Sequence, residues 1–294
     1  MFVLLAVVLL VCGAACAAPP EEAPSAPRPY RRPVVAGTID IPGLVELSGL
    51  AASRVRDDTL WAHNDSLNEP LLFAFDGNGK SLGSVRVEGV SFLDWEDMAS
   101  FELDGVPYLV IGDVGDNRGL RPFVSLWFVR EPAIPDADER QASVAAEWEL
   151  HFRYEDGPRD CEALAVDEIG KRILLLSKRT DPPVLYELPL AREEGELEVR
   201  VARRIRTVSH IGKPTGLDVS PDGSRAVVQT SRRTYVFDRQ PGQAWPEVFL
   251  APAQSIEIPK LSSIEAVTFD RKGHSLFVTR EGRPSPLVRI DPQR

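Results

Sequence analysis

The stretch DCEALAVD, residues 160–167, decides the fold because variants of it recur along the chain. The variants are ELSGLAAS (46–53), DWEDMASF (94–101), KPTGLDVS (213–220) and SIEAVTFD (263–270). In each, a polar side chain precedes an apolar run, and a short turn and a second apolar run follow. An internal repeat of this kind determines the architecture before any single motif does.

The same position of the repeat is occupied by Ser48, Glu96, Glu162, Thr215 and Glu265. These residues are separated by 48, 66, 53 and 50 positions, and we interpret 131–145 as an insertion in the longest interval. Turns containing X-Gly pairs, such as LDG (103–105) and PDG (221–223), join the first two strands of a repeat. Each unit has room for four short strands, which is typical of a β-propeller blade.

The sequence therefore predicts an all-β fold, a single β-propeller of five blades with four antiparallel strands each. The fifth repeat has room for only three strands before the chain stops. We expect VVAGTIDIP (34–42) to close the last blade as its outer strand, which would cover two otherwise open sheet edges. Six blades are the structural alternative.

The N-terminal segment predicts export. Residues 1–18 are an apolar run ending in small residues, as in a secretory signal peptide. The run GAAC also resembles a lipoprotein signal in which Cys16 would carry the lipid, and both signal types stay open. We expect a protein outside the cytoplasm, either periplasmic, attached to the cell envelope or secreted, with membrane contact only through Cys16. Residues 19–33 read as a Pro-rich linker and residues 34–294 as the propeller domain.

Charge and cysteine content exclude two classes of protein. The formal net charge is -10, which makes a nucleic-acid partner implausible. Cys161 is the single cysteine beyond the signal, which excludes a disulfide framework and favours a small packing residue there. We expect a monomer.

Propeller geometry predicts where the chemistry lies. Loops that lead into the first strands and loops that leave the second strands would emerge on the same face. Several carboxylates would meet there, and like charges around one channel require protonation or a cation. Oxygen ligands without a His or Cys cluster favour Ca²⁺ or Mg²⁺. The predicted metal ligands are Glu96, Glu162, Glu265, Asp113 and Asp116.

Basic side chains on the same face predict an anionic ligand. The predicted ligand-binding residues are Arg118, Lys178, Arg179 and Arg280. The predicted catalytic residues are Glu162, Glu96 and His63, acting with a divalent cation, Ca²⁺ foremost, in ester hydrolysis. Capping roles for the aspartates and solvated positions for the basic residues are the alternatives.

Five segments carry a resemblance to a known family: ELSGLA, DWEDMA, GDVGDN, DCEALAVD and IEAVTF. Together they resemble bacterial exported propellers called phytase-like ("esterase-like activity of phytase"), over nearly the whole of 34–294. More distantly, ELSGL and the single Glu of each first strand are similar to the calcium-activated nucleotidases (soluble apyrases), five-bladed propellers with Ca²⁺ in the channel. That resemblance implies that Ser48, Glu96, Glu162 and Glu265 surround the ion, whereas Thr215 departs from the acidic pattern. Residues that would contact a nucleotide have no counterpart, so nucleotide hydrolysis is not implied.

The sequence thus leaves two functions open. In the first, a divalent cation at the channel mouth serves hydrolysis or binding of a phosphoester or other small anionic ester. In the second, a non-catalytic propeller binds a protein or glycan component of the envelope, and the carboxylates are structural.

Overall fold

A computed structural model describes residues 29–134, 142–192, 198–259 and 261–293 of the 294-residue chain. The fold is all-β, with 54% strand and 2% helix. The helix is the single turn α1 (Trp245–Val248), placed after the fourth repeat's third strand. The all-β prediction is confirmed.

The strands form five sets of four, one for each sequence repeat. The first set is β2 (Leu47–Ala52), β3 (Thr59–Asn64), β4 (Leu71–Asp76) and β5 (Ser81–Glu88). The second is β6 (Trp95–Leu103), β7 (Val106–Asp113), β8 (Val124–Arg130) and β9 (Ala142–Tyr154). The third is β10 (Cys161–Asp167), β11 (Arg172–Ser177), β12 (Val184–Pro189) and β13 (Arg200–Thr207). The fourth is β14 (Pro214–Val219), β15 (Arg225–Thr230), β16 (Arg233–Asp238) and β17 (Gln254–Glu257). The fifth is β18 (Ile264–Phe269), β19 (Leu276–Arg280), β20 (Ser285–Ile290) and β1 (Val34–Ile39).

Within each set, neighbouring strands pair antiparallel in chain order, and β1 completes the last set. It pairs with β20 from Val34 opposite Arg289 to Ile39 opposite Ser285. The pairing predicted for the N-terminal strand is therefore confirmed. The hairpin turns also have the expected backbone: Asp104 and Gly105 both take positive φ angles, as a two-residue hairpin requires.

The first strands of the five sets contact one another in a cycle. β2 contacts β6, β6 contacts β10, β10 contacts β14, β14 contacts β18, and β18 contacts β2. A buried carboxylate ties three of them together, because Asp97 on β6 accepts hydrogen bonds from Leu164 N (2.8 Å) and Leu217 N (3.1 Å). Thr215 Oγ1 donates to Ile264 O at 2.8 Å and joins β14 to β18. These contacts bring all five repeat positions toward one centre.

The fourth strands of three sets also pair with one another, which the sequence analysis did not predict. β9 is 13 residues long. Its beginning pairs parallel with β5 and its end pairs parallel with β13, so three sets join at their outer strands. The extra length explains this pairing, because backbone groups beyond the reach of β8 need other partners.

The packed part of the chain begins before Val34, inside the predicted linker. Tyr30 is buried and forms a β-bridge with Pro292. Its hydroxyl donates to His274 O (3.1 Å) and accepts from Arg225 Nη1 (2.7 Å). The predicted signal (1–18) with Cys16, the linker up to residue 28 and part of the predicted insertion (135–141) lie outside the described residues. Across the described ranges, no helix has the length and apolar character needed to cross a membrane.

Cys161 packs as the sequence predicts. Its side chain is fully buried in the core between the second and third sets, and burial raises the pKa of its thiol to about 12. A thiol that stays protonated at neutral pH is a poor nucleophile.

Candidate functional site

Two groups of carboxylates meet where loops from the first three sets converge. Asp65 follows β3, and Asp94 and Glu96 stand at the start of β6; their carboxylate oxygens lie within 4.8 Å of one another. Glu96 forms a second such group with Asp160 and Glu162, at the start of β10. We call these five residues the acidic centre. A buried cluster of this composition can hold a metal ion, and its oxygen atoms are the ligands that Ca²⁺ and Mg²⁺ prefer.

The acidic centre is largely withdrawn from solvent. Glu96 and Asp160 are each 4% exposed, and Glu162 is 7% exposed. Burial, followed by the charges of Asp65 and Asp94, raises the pKa of Glu96 well above its usual value. Burial and the Asp65 charge raise the pKa of Asp94 to about 6. Raised carboxyl pKa values show that a compensating positive charge would stabilise this cluster.

The loop between β7 and β8 covers the acidic centre, and Gly115 makes this possible. A Cβ atom at Gly115 would lie 2.4 Å from Asp94 Cγ and 2.4 Å from Glu96 Oε1. A side chain at this position would displace both carboxylates, so the glycine lets the GDVGDN backbone approach them in their present positions.

Lys178 brings a positive charge to the acidic centre. It follows β11, and its ammonium contacts Glu162 and lies 3.9 Å from Glu265 Oε2. Burial raises the pKa of Glu265 to about 7 despite the opposing charge of Lys178. Glu265 is therefore linked to the acidic centre through Lys178 and belongs to neither of the two carboxylate groups.

Arg179 brings a second positive charge to the acidic centre. Its Nε donates to Asp160 Oδ2 at 2.7 Å, and its guanidinium also contacts Asn117. The other oxygen of Asp160 accepts from Asp116 N at 2.9 Å. Asp160 thus joins the acidic centre to the β7–β8 loop.

Two predicted metal ligands, Asp113 and Asp116, instead form ion pairs and hydrogen bonds that hold neighbouring loops in place. Asp113 is fully buried, pairs with Arg121 (2.7 Å) and accepts from Ser91 Oγ (3.0 Å). Asp116 accepts from Leu120 N (2.8 Å) and Arg121 N (2.9 Å), which closes a turn. Neither residue belongs to the two carboxylate groups.

The remaining predicted site residues lie at different depths. His63 is fully buried, with Nδ1 2.9 Å from Asn64 O and its ring edge-on to Trp95. Burial lowers the pKa of His63, so the structure favours a neutral packed imidazole. Arg118 is exposed on the β7–β8 loop, and Arg280 donates to Glu281 O at 2.9 Å.

Asp65, Asp94 and Asp160 belong to the acidic centre but were not among the site residues predicted from the sequence. A signal for Asp94 exists, because it precedes Glu96 by two positions as Asp160 precedes Glu162. The only sequence feature that points to Asp65 is its position directly after the second strand of the first repeat. Many aspartates that merely cap a turn occupy such a position.

The metal-free protein is expected to lose stability as the pH rises from 5 to 7.5. The pKa is raised to about 6 for Asp94 and to about 7 for Glu265, whereas unfolded carboxyls titrate near 4. Between these values the folded protein binds more protons than the unfolded chain, so the free energy of unfolding falls with rising pH. We expect a melting temperature roughly 5 °C lower at pH 7.5 than at pH 5 in chelator, after allowing for solvent screening.

Added Ca²⁺ is expected to remove most of that difference, because the ion binds the ionised carboxylates. Differential scanning fluorimetry at both pH values, with chelator and with Ca²⁺, measures the effect. A metal-free melting temperature that increases over this interval would contradict the assignment of raised pKa values.

No protein-family model matches the chain, and no curated protein matches it either. The resemblance to the phytase-like propellers therefore rests on the sequence motifs alone.

Proposed function

We propose that the chain is a single five-bladed β-propeller acting outside the cytoplasm. The five sets of four strands, the cycle of contacts among their first strands and the closure of the last set by β1 support this architecture. Within the described residues every strand belongs to one of the five sets, which supports five blades over the alternative of six. Export is inferred from the apolar segment 1–18.

The acidic centre is the proposed site of a divalent cation, with Ca²⁺ as the first candidate. The observation that carries the proposal is that Glu96 belongs to both carboxylate groups. A cation bound near Glu96 would be within reach of ligands from β6, β10 and the loop after β3. Three or more carboxylates with no His or Cys among them favour a hard cation.

The proposed ligand is a phosphoester or a related anionic ester. Lys178 and Arg179 stand beside the carboxylates, so a bound cation and these two groups would present positive charge to the same ligand. In hydrolysis the ion would serve as Lewis acid. Within the acidic centre, Asp94, whose pKa burial raises to about 6, would be able to accept and release a proton near neutral pH.

Calorimetric titration of the purified protein with Ca²⁺ and Mg²⁺ tests the cation site, and a panel of phosphomonoesters and phosphodiesters tests hydrolysis. We expect stoichiometric Ca²⁺ binding and ester cleavage that a chelator abolishes. Absence of cation binding at pH 7.5 would contradict the metal site. Cation binding without any cleavage across the panel would favour the second function.

That second function is a non-catalytic propeller that binds a component of the envelope. One observation favours it: Lys178 and Arg179 already pair with Glu162 and Asp160, so the protein neutralises part of its own acidic centre. In this case the ion pairs hold neighbouring first strands together, and the carboxylates have a structural role only.

A further inference from the structure

Large apolar side chains are exposed on three loops that adjoin the acidic centre. These loops lie after β3, before β6 and after β7. The exposed side chains, which we call the apolar rim, are Leu67, Phe92, Leu93, Leu120 and Phe123. Leu67 is 83% exposed, Leu120 73% and Leu93 59%. A grouped set of exposed apolar side chains marks a surface that binds something, whereas scattered ones need no explanation.

Each of the three loops is attached to a carboxylate of the acidic centre. Leu93 immediately precedes Asp94, and Leu67 follows Asp65 by two positions. Leu120 N donates to Asp116, whose own amide donates to Asp160. The apolar rim therefore borders the proposed cation site on the side of the first and second sets.

Leu67 has an unusual backbone for its residue type. Its φ angle is +60°, in the left-handed region that bulky side chains rarely adopt. Its side chain gains almost no burial, because it points into solvent. The backbone thus holds the Leu67 side chain in solvent close to Asp65, where it forms part of the apolar rim.

A cavity of about 170 Å³ adjoins the apolar rim at Phe123, which belongs to both. Its lining is mixed: aromatic and aliphatic side chains stand beside three guanidinium groups, and Asp116, whose amide donates to Asp160, stands at its wall. The apolar side chains are Phe123, Val124, Phe152 and Tyr154, and the basic ones are Arg121, Arg153 and Arg159. The volume is below the range of roughly 300–1,000 Å³ that holds a whole small ligand. The cavity can therefore hold one group of a ligand whose remainder lies elsewhere, and its aromatic side chains offer an apolar surface for that group.

We propose that the apolar rim and this cavity bind the apolar substituent of an anionic ester whose charged head lies at the acidic centre. The inference rests on the proposed function and narrows its substrate class to amphiphilic esters, such as alkyl phosphates. An amphiphilic ester would use both surfaces: its anionic head would meet the positive charges of Lys178 and Arg179, and its apolar substituent would cover the exposed side chains of the apolar rim.

Two probes that share a head group test this assignment: methyl phosphate and octyl phosphate, the latter below its critical micelle concentration. Calorimetry in the presence of Ca²⁺ gives the ratio of their affinities. We expect octyl phosphate to bind at least about tenfold more tightly, since burial of two methylene groups suffices for that ratio. In the Leu67→Ser/Leu93→Ser/Leu120→Ser variant the ratio should fall below about threefold, with the methyl phosphate affinity unchanged.

The matched control is Val55→Ser/Ile169→Ser, which removes two exposed apolar side chains from the turns at the opposite ends of the strands. This variant should keep the tenfold ratio. Equal affinities for the two probes, no binding of octyl phosphate, or equal loss in the control variant would each overturn the proposal. Binding to phosphatidylglycerol vesicles without binding of monomeric octyl phosphate would also overturn it, because the rim would then be a membrane contact.

Repeating both titrations in chelator separates this inference from the proposed function. If each probe binds as tightly in chelator as in Ca²⁺ and octyl phosphate still binds more tightly than methyl phosphate, the metal-centred function fails and the rim assignment is supported. If binding requires metal but octyl phosphate and methyl phosphate bind with nearly equal affinity, the rim assignment fails and the proposed function stands.

Discussion

Replacement of Glu96 by glutamine is expected to lower the affinity for Ca²⁺ by at least about 100-fold. Glu96 is the carboxylate common to both groups of the acidic centre, so its loss removes a ligand from either possible ion position. A hundredfold change corresponds to about 2.8 kcal/mol. A unit charge in contact with a divalent ion exceeds that amount even at an effective dielectric constant of about 20. Calorimetric titration at pH 7.5 measures the change.

The same substitution is expected to raise the stability of the metal-free protein at pH 7.5. The amide keeps the shape of the side chain and removes a charge that is buried against Asp65, Asp94 and Asp160. Opposite effects on cation affinity and on metal-free stability would separate a metal ligand from a purely structural residue. Glu102→Gln is the matched control, because Glu102 is exposed near the far end of the same strand. A Glu96→Gln protein that binds Ca²⁺ with unchanged affinity would refute the cation site.

Lys178→Met is expected to raise the affinity for Ca²⁺ by about tenfold or more. The ammonium of Lys178 contacts Glu162 and faces Glu265, so an arriving cation must overcome its repulsion and compete for Glu162. Methionine keeps the length of the side chain without the charge. Under the proposed function, the affinity for a phosphoester should fall in the same variant, because Lys178 also serves the anion.

The two titrations of Lys178→Met together distinguish the candidate functions. Tighter Ca²⁺ binding with weaker phosphoester binding supports an anion site beside the metal. If the lysine is only a structural counter-charge, the metal-free variant should lose about 1–3 kcal/mol of stability with no change in phosphoester affinity. Lys80→Met removes the same charge from an exposed turn and should leave both affinities unchanged. Unchanged Ca²⁺ affinity in Lys178→Met would contradict the competition argument.

The strand architecture could be predicted from the sequence because its signals are local and repeated. The apolar runs and the Asp-Gly turns recur at intervals of about 50 residues, and each repeat tests the interpretation of the others. The placement of β1 against β20 could be predicted because the last repeat lacked a strand and the N-terminal segment could supply one. The pairing of β9 with β5 and β13 could not be predicted from the sequence. It depends on how far β9 extends beyond the end of β8, its antiparallel partner.

The site could be predicted only in part, for reasons visible in particular residues. Glu96 and Glu162 occupy the repeat position, and the structure brings them together with Asp160. Asp113 and Asp116 look equally suited to a metal in sequence, because an aspartate that caps backbone amides and one that binds a cation share the same Gly-rich surroundings. His63 could not be distinguished from a general base, since its burial comes from Trp95 on the next set of strands.

The joining of β1 to β20 also constrains how the protein reaches its native state. The two strands come from opposite ends of the chain, so the fifth sheet cannot be completed until nearly the whole polypeptide is available. Contacts between segments so distant in sequence form slowly, because a long loop must close before they can stabilise the fold. Until that moment β1 and β20 both present free edges to other chains. Under the proposed export from the N-terminus, the strand that emerges first would wait for the one that emerges last, and its free edge would need protection from other chains until then.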